Sequence, residues 1–150
     1  MIVRSKNCFT LHTAHTSYQM AVGQRGMLLH TYYGSRLPDD APNLADDRVP
    51  HSDPGCWPDL MPQELSGAGT ADNRTPAVIP EYADGTEAAA FVFDHAEVQP
   101  GKPQLPGLPM FRNGDGVETL SVFLKDVGGL AVELRYSVYE ADDLITRTVI

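Results

Sequence analysis

Hydrophobic and polar residues alternate with a period of two over the last third of the sequence. Residues 120–125 place leucine and valine on one face and serine, phenylalanine and lysine on the other. Residues 130–139 repeat the alternation, and residues 144–150 follow as a third run that is rich in β-branched side chains. A period of two is typical of a strand with one buried and one solvated face. Because short polar turns separate the three runs, the pattern predicts an antiparallel β-meander.

The third run continues to Ile150 without a turn residue, a polar tail or a cap. Natural termini commonly fray into polar residues, and a bare terminal strand leaves an unpaired edge that invites aggregation. We therefore expect residues 1–150 to be the N-terminal piece of a longer protein, and to form one incomplete β domain.

The rest of the chain also predicts strands. Residues 9–11, 17–22 and 27–33 read as a first hairpin or meander, with a turn at 23–26. Residues 77–79 and 88–93 are predicted as two strands separated by Asp84-Gly85, and 98–109 as an extended Pro/Gly-rich connection. No segment carries a 3.6-residue apolar stripe over three turns. The predicted fold class is therefore all-β, most simply an antiparallel sandwich.

Prolines interrupt the strand pattern between Pro38 and Pro80, where eight of them occur. Proline lacks the N–H that a central strand donates, so this density excludes a central strand. Trp57 and Leu60 are large apolar residues, which disordered segments lack. We predict that residues 38–62 form an ordered, Pro-rich loop that packs on another part of the protein. Loops of this length are commonly functional.

Charge and composition narrow the classes of partner. A formal net charge of −9 disfavours nucleic acids and anionic membrane surfaces, because both require clustered Lys and Arg. No apolar run approaches the ~20 residues of a transmembrane helix. The first residues lack the apolar core of a secretory signal. We therefore expect a cytoplasmic protein, in which Cys8 and Cys56 are reduced thiols rather than a disulfide.

Common catalytic and metal-binding motifs are absent from the sequence. His12 and His15 have an H-x-x-H spacing, but on a strand or turn their rings point to different faces, and no third ligand follows. There is no G-x-S-x-G motif and no phosphate-binding glycine loop. Adjacent aspartates, such as Asp142 and Asp143, are typical of solvated turns. We expect neither a metal nor a cofactor.

The Pro-rich loop holds the most suggestive polar residues. Its charged, polar and aromatic side chains are Asp46, Asp47, Arg48, His51, Asp53, Trp57 and Asp59. Sugars are bound by such a mixture, since their hydroxyls hydrogen-bond to charged groups and the apolar face of the ring rests on an aromatic side chain. The same mixture also describes a polar loop with one buried tryptophan anchor, and both interpretations stay open on composition alone.

Seven short segments carry a resemblance to a known family. They are residues 29–34 (LHTYYG), 62–65 (PQEL), 69–77 (GTADNRTPA), 101–109 (GKPQLPGLP), 118–120 (ETL), 134–140 (LRYSVYE) and 143–147 (DLITR). In this order they resemble successive landmarks of family 36 glycoside hydrolases, the microbial α-galactosidases. The resemblance extends from about Phe9 to Ile150. It rests on the ordered set rather than on any single landmark.

The resemblance implies a fold and an activity. Family members have a large N-terminal β-sandwich (a supersandwich), then a catalytic (β/α)₈ barrel and a small C-terminal β domain, so this chain would be about the first half of the sandwich. The enzymes remove terminal α-1,6-linked galactose from melibiose, raffinose and stachyose with retention of configuration. Retention requires two carboxyl groups roughly 5 Å apart. In the family both are aspartates of the barrel, so this chain would hold no catalytic residue and be inactive alone.

The resemblance also nominates substrate-binding residues. In many tetrameric members an aspartate on a long N-terminal loop reaches a galactose pocket, often one shared with the neighbouring subunit. The family pattern is matched best by Asp47-Arg48-Val49-Pro50, which nominates Asp47, with Asp46 as the alternative register. Trp57 is a second candidate, for packing or sugar stacking. The expected partners are α-galactoside oligosaccharides and further copies of the chain, in a homo-oligomer that is a tetramer for the parent enzyme.

Two other functions also fit the residues. A stand-alone carbohydrate-binding or adaptor module would use the acidic loop and Trp57 as its whole site, without catalysis. A scaffold half-domain would only mediate oligomer contacts, and its open sheet edge would make it poorly soluble in isolation.

Overall fold

The computed structural model describes residues 1–45, 61–69, 72–112 and 114–150. In these residues eight strands form two four-stranded antiparallel sheets. The first sheet consists of β1 (Ile2–Ser5), β2 (Cys8–His12), β3 (Thr16–Val22) and β4 (Leu28–Ser35), in that order. The second sheet consists of β5 (Val92–Pro100), β6 (Glu118–Lys125), β7 (Ala131–Tyr139) and β8 (Leu144–Val149). Within the described ranges, no helix is long and apolar enough to cross a membrane.

Within each sheet, every strand pairs with the next strand along the chain, so each sheet is a meander. Local turn chemistry explains two of the chain reversals, both in the second sheet. Gly129, in the β6–β7 turn, has a φ of 92°, a conformation open mainly to glycine. Asp143, in the β7–β8 turn, has a φ of 52°, which aspartate tolerates better than most residues. Its carboxylate oxygen Oδ1 accepts hydrogen bonds from the Thr13 hydroxyl and the His15 N–H. The β7–β8 turn is thereby fixed against the first sheet.

The inward faces of the two sheets share one hydrophobic core. The predicted apolar face of β6 and β7 is confirmed, because the leucine and valine positions of both strands are buried. The other face is less solvated than predicted, since Ser121, Ser137 and Tyr139 are buried as well. The first sheet contributes the inward side chains of β2 and β3. The deepest core residues are Phe9, Leu11, Met20, Leu120, Val122, Leu134, Tyr136 and Val138. Burying each large apolar side chain contributes about 1.5–3 kcal/mol, so this shared core is the main reason why the sheets pack together.

One predicted strand, 77–79, is wrong, and the strand predicted at 88–93 begins only at Val92. Residues 77–79 contribute only an isolated bridge between Val78 and Gly67. Residues 88–91 are not a strand either, although Ala89 and Phe91 are buried. These apolar residues pack against the core as single anchors without forming a ladder. The hydrophobic pattern therefore indicated the burial of Ala89 and Phe91 correctly, but it predicted their secondary structure incorrectly.

β1 and β5 also differ from the prediction, because they are exposed or partly exposed strands without a hydrophobic alternation. β5 runs to Pro100, into the predicted connection, and β1 was not predicted at all. Both are edge strands. Most of β5 faces solvent, so its sequence lacks the alternation that a buried face imposes. Charged residues such as Asp94 and Glu97 on an exposed edge also discourage pairing with other chains.

Candidate functional site

The predicted substrate-binding residues Asp47 and Trp57 lie outside the described residues, as does the alternative Asp46. Their roles therefore stay predictions. The structure does describe the segments on either side: residues 36–45, called here the N-terminal flank, and residues 61–66, called the C-terminal flank. The side chains that hold the two flanks form the site that can be built from the described part of the chain.

The N-terminal flank lies on the outer face of the first sheet, the face opposite the core. Gln19 is fully buried on this face. Its Nε2 donates to the Pro42 carbonyl at 3.1 Å, and its Oε1 accepts from the Leu44 N–H at 3.0 Å. One side chain thus pairs two backbone groups of the flank. A buried backbone group left unpaired would cost about 1–3 kcal/mol.

Two threonines on the neighbouring strands orient the Gln19 amide. Its Nε2 also donates to the Thr10 hydroxyl of β2 at 3.2 Å, and its Oε1 accepts from the Thr31 hydroxyl of β4 at 2.9 Å. Both ends of the amide therefore have partners on the sheet and on the flank. The sequence pattern placed Gln19 only within a predicted strand at 17–22, and the structure shows that its side chain connects the sheet to the N-terminal flank.

His12 is the second buried polar group beneath this flank. Its Nδ1 lies 2.7 Å from the Ser17 hydroxyl, which also accepts from the Leu37 N–H at 2.8 Å. Its buried Nε2 has no hydrogen-bond partner among the described residues and lies 3.9 Å from the Asp39 carboxylate. Burial, with a further contribution from the Arg36 guanidinium, lowers the pKa of His12. The ring is therefore neutral at pH 7.

The C-terminal flank pairs with the edge strand β4. The His30 N–H donates to the Pro62 carbonyl at 2.7 Å, and the Glu64 N–H donates to the Leu28 carbonyl at 2.9 Å. Leu29 and Gln63 form an antiparallel bridge between them. The flank thus covers part of the β4 edge that the four named strands leave open.

Glu64 is the central charged residue of this flank, and its side chain is only 3% exposed. Oε1 accepts the Tyr18 hydroxyl at 2.5 Å, and Oε2 accepts the Tyr136 hydroxyl at 2.6 Å. Tyr18 belongs to β3 of the first sheet, whereas Tyr136 belongs to β7 of the second. A single carboxylate therefore ties both sheets to the flank. We call Glu64, Tyr18, Tyr136 and Arg147 the Glu64 cluster.

Arg147 of β8 completes the Glu64 cluster. Its Nη2 donates to the Glu64 carbonyl at 2.5 Å, and its Nε donates to the Tyr136 hydroxyl at 3.3 Å. The guanidinium also lies near the carboxylate, with 3.9 Å between Nε and Oε2. A buried carboxylate is tolerated only when such partners replace water.

The two tyrosine hydroxyls remain protonated at all physiological pH values. Burial, followed by the neighbouring Glu64 carboxylate, raises the pKa of Tyr18 and of Tyr136 far above the usual value near 10. Each phenol therefore acts as a permanent donor to Glu64. His30 lies beside the pair, with its Nδ1 3.4 Å from Oε1 and its ring centroid 4.8 Å from that of Tyr18.

A cavity of about 280 Å³ opens next to the Glu64 cluster, between the edges of β4 and β8. Its wall includes Tyr33, an exposed aromatic residue, together with Tyr18 and Tyr136. The charged residues in the wall already have partners: Asp143 accepts from Thr13, and Arg147 donates to Glu64. The cavity therefore offers mainly aromatic surface, which suits packing better than acid–base chemistry.

A second buried carboxylate holds the segment before β5. Asp126 accepts hydrogen bonds from the Tyr82 hydroxyl at 2.6 Å, the Ala90 N–H at 2.8 Å and the Gly128 N–H at 2.7 Å. Burial alone would raise the pKa of Asp126, but these hydrogen bonds outweigh it and hold the pKa below its usual range. The chemistry resembles that of Glu64, at a different place in the sandwich.

The remaining sequence candidates do not come together in a site. His12 is buried, whereas the His15 side chain is exposed and lies 3.4 Å from Asp143, so the two rings do not face one point. Cys8 is a free buried thiol whose pKa is raised, mainly by burial; Cys56 lies outside the described residues. Over the described ranges, no group of three or more His, Cys, Asp or Glu is placed to hold a metal ion.

The sequence analysis missed Glu64, Gln19 and the tyrosines that hold the flank. A signal was available for Tyr136, since it occupies an inward position of a predicted strand. A buried tyrosine hydroxyl needs an acceptor. The sequence did not indicate which acceptor, because Glu64 is 72 residues away along the chain.

The model of the glycosyl hydrolase family 36 N-terminal domain matches residues 26–150. The chain is 36% identical over 156 residues to the bifunctional alpha-galactosidase/sucrose kinase AgaSK of Mediterraneibacter gnavus, covering 97% of this chain and 17% of the relative. It is 32% identical to alpha-galactosidase 1 of Pediococcus pentosaceus, covering 97% of this chain and 22% of the relative.

Solved structures agree over nearly the whole chain. The galactosidase domain of AgaSK superposes with a TM-score of 0.86 at 36% identity, covering 99% of this chain and 22% of that one. The family 36 alpha-galactosidase AgaB of Geobacillus stearothermophilus gives a TM-score of 0.84 at 30% identity, with 99% and 22% covered. The chain thus spans about a fifth of the length of these relatives.

Proposed function

Because the chain belongs to the glycosyl hydrolase family 36 N-terminal domains, we propose that it is the first part of a retaining α-galactosidase. The enzyme releases terminal α-1,6-linked galactose from melibiose- and raffinose-type oligosaccharides. The observation that carries this proposal is the family match over residues 26–150. Two variants of the related AgaA of Geobacillus stearothermophilus were solved with raffinose and with stachyose, which supports this substrate class.

The catalytic carboxyl groups are assigned to the part of the enzyme that follows this chain. Retention requires two carboxyl groups roughly 5 Å apart, one as nucleophile and one as acid/base. The relatives are about five times longer than this chain, which leaves ample length for a catalytic barrel. Residues 1–150 are then the first half of a supersandwich and are inactive alone.

The contribution of this chain to the substrate is a loop between the two flanks. Asp47 binds a galactose hydroxyl through a charge-assisted hydrogen bond, and Trp57 stacks on a sugar face or packs the loop. What supports this role is that both flanks are held to the sandwich through Gln19 and Glu64. A binding loop requires such fixed ends, since binding residues commonly lie on loops positioned by a rigid scaffold.

The assembly is proposed as a homo-oligomer, a tetramer for the whole enzyme, that acts in the cytoplasm without a cofactor. In such an assembly, the loop completes a galactose pocket together with a neighbouring subunit. Native mass spectrometry of the intact protein checks the subunit number, and a monomer would contradict the shared pocket.

Kinetics of Asp47→Ala in the intact enzyme test the proposed loop role. Loss of a charge-assisted hydrogen bond is worth about 1.5–3 kcal/mol, so kcat/KM for melibiose should fall about tenfold to a hundredfold. Asp40→Ala is the matched control, because Asp40 is an exposed aspartate of the N-terminal flank. Equal kinetics for wild type and Asp47→Ala, with correct assembly, would reject Asp47 as a substrate ligand.

Calorimetry separates the enzyme from the alternative of a stand-alone carbohydrate-binding module. The module predicts that residues 1–150 bind galactosides while the intact polypeptide hydrolyses none. The enzyme predicts hydrolysis by the intact polypeptide and none by residues 1–150.

A further inference from the structure

Two adjacent residues of β3 control the two flanks from opposite faces of the first sheet. Gln19 points outward and holds the N-terminal flank, whereas Tyr18 points inward and holds Glu64 of the C-terminal flank. We propose that Glu64, together with its donors Tyr18 and Tyr136, is a positioning residue for substrate binding. It fixes the C-terminal flank relative to both sheets and in this way sets the affinity for the galactoside. This inference rests on the proposed function.

The buried carboxylate of Glu64 gives the C-terminal flank a defined position. Apolar burial alone would hold the flank in place, since Met61 and Leu65 on either side of Glu64 are buried. Hydrophobic contact is non-directional, however, whereas hydrogen bonds to an ionised acceptor are short and directional. Two phenols at 2.5 and 2.6 Å therefore define a position for the flank that apolar packing does not define.

Both sheets together hold Glu64 in this position. Tyr18 is in the first sheet and Tyr136 in the second, while Arg147 of β8 binds the Glu64 carbonyl. With the hydrogen bond from the Glu64 N–H to the Leu28 carbonyl of β4, the side chain and backbone of Glu64 are thus attached to four strands. The flank cannot shift without breaking contacts to both sheets, so it moves with the sandwich as one body.

Glu64 lies close along the chain to residue 60, the last residue between the two flanks that the structure does not describe. Glu64 is four positions after Leu60, a span of at most about 13–14 Å in extended chain. Met61 is buried, and Pro62 and Glu64 pair with β4, so little freedom lies between the cluster and residue 60. A displacement of Glu64 therefore also displaces residues 61–63, the described part of the flank before it. Misplacement of a binding group by about 1 Å can cost as much as a hundredfold in rate.

The structure supplies a matched control for this proposal. Tyr82 donates to the buried Asp126 at 2.6 Å, just as Tyr136 donates to Glu64 at 2.6 Å. Tyr82→Phe and Tyr136→Phe remove the same chemical group from the same kind of partner. If the tyrosines serve stability alone, the two variants should change the kinetics alike.

The experiment compares Tyr18→Phe, Tyr136→Phe and Tyr82→Phe in the intact enzyme with melibiose as substrate. We expect Tyr18→Phe and Tyr136→Phe each to raise KM about three- to tenfold with kcat little changed, since each removes one hydrogen bond to a charged group. Tyr82→Phe should leave KM unchanged. Tyr18→Phe keeps the test informative should Tyr136→Phe, whose ring is in the core, fail to fold.

Hydrogen exchange supplies a readout that does not depend on activity. Amides of residues 61–66 should exchange faster in Tyr18→Phe and Tyr136→Phe, but not in Tyr82→Phe. An active enzyme in which all three variants share the wild-type KM, or raise it equally, overturns the positioning role alone. An intact wild-type protein that does not hydrolyse melibiose overturns the proposed function, and the inference with it.

Discussion

Buried polar side chains, rather than exposed ones, are the most informative residues of this domain. Gln19, His12, Glu64 and Asp126 are each enclosed by the sandwich or its attached segments. Gln19 and Asp126 bind backbone groups of segments that are not regular strands. Glu64 lies in such a segment and binds a tyrosine of each sheet, and His12 contacts Ser17, whose hydroxyl accepts from the N-terminal flank. Backbone groups outside a ladder must still find partners when they are buried. Gln19 and Asp126 supply these partners directly, so the segments that they bind are held to the sandwich.

His12 gives the domain a predicted dependence on pH. Its pKa is lowered by burial and by Arg36, against the opposing attraction of Asp39 and Glu140. The unfolded chain, with a histidine pKa of about 6.5, then binds a proton more readily than the folded one. The contribution of His12 is therefore fully present above about pH 6.5 and is lost as the pH falls through the lower folded value.

Urea unfolding between pH 7.5 and 5 measures this effect. The free energy of unfolding of the wild type should decrease as the pH is lowered from 7.5 to 5. His12→Asn should reduce this dependence on pH, because the titrating ring is gone. Further loss below about pH 4 should persist in the variant, since carboxylates with lowered pKa, such as Asp126, titrate there. An unchanged slope above pH 5 in His12→Asn would contradict the assignment.

At the scale of elements, the predictability of each strand followed its burial. β6 and β7 were predicted almost to the residue, because one face of each is packed on the core and the other is not. β5 was misplaced, because an exposed edge strand imposes no hydrophobic period. The predicted strand at 77–79 was wrong because only Val78 pairs and packs against the core, whereas Ile79 is exposed.

The candidate site was less accessible from the sequence than the strands. Glu64 lies 46 residues from Tyr18 and 72 from Tyr136, and no local pattern joins residues so far apart. The segment around Glu64 entered the sequence analysis only as a family landmark. Asp47 and Trp57 remain predictions from that resemblance and from loop composition, because both lie outside the described residues.

Close backbone packing between two irregular segments gives a prediction at this scale. A Cβ added at Gly67 would lie 1.9 Å from the Ala89 carbonyl oxygen, so the segments would have to separate. Gly67→Ala should therefore lower the free energy of unfolding by about 1–3 kcal/mol, the usual cost of overpacking. At Gly114 an added Cβ meets nothing within 4 Å, which makes Gly114→Ala the matched control. Equal stability of the two variants by chemical denaturation would refute this packing.

At the scale of the whole molecule, two meanders share one core, and the irregular segments wrap around them. The N-terminal flank covers the outer face of the first sheet through Gln19, and the C-terminal flank covers its β4 edge. The Glu64 cluster then joins the first sheet to the second. The sandwich therefore holds both flanks in fixed positions, which is the property that the proposed function requires of it.

The proposed function makes this chain the first part of a retaining α-galactosidase. Proton NMR of raffinose incubated with the intact protein tests it most directly. A retaining enzyme should release galactose whose α-anomer appears first, and the β-anomer should grow in only as the sugar mutarotates. Galactose that appears first as the β-anomer would contradict retention, and an intact protein that releases no galactose would contradict the enzyme itself.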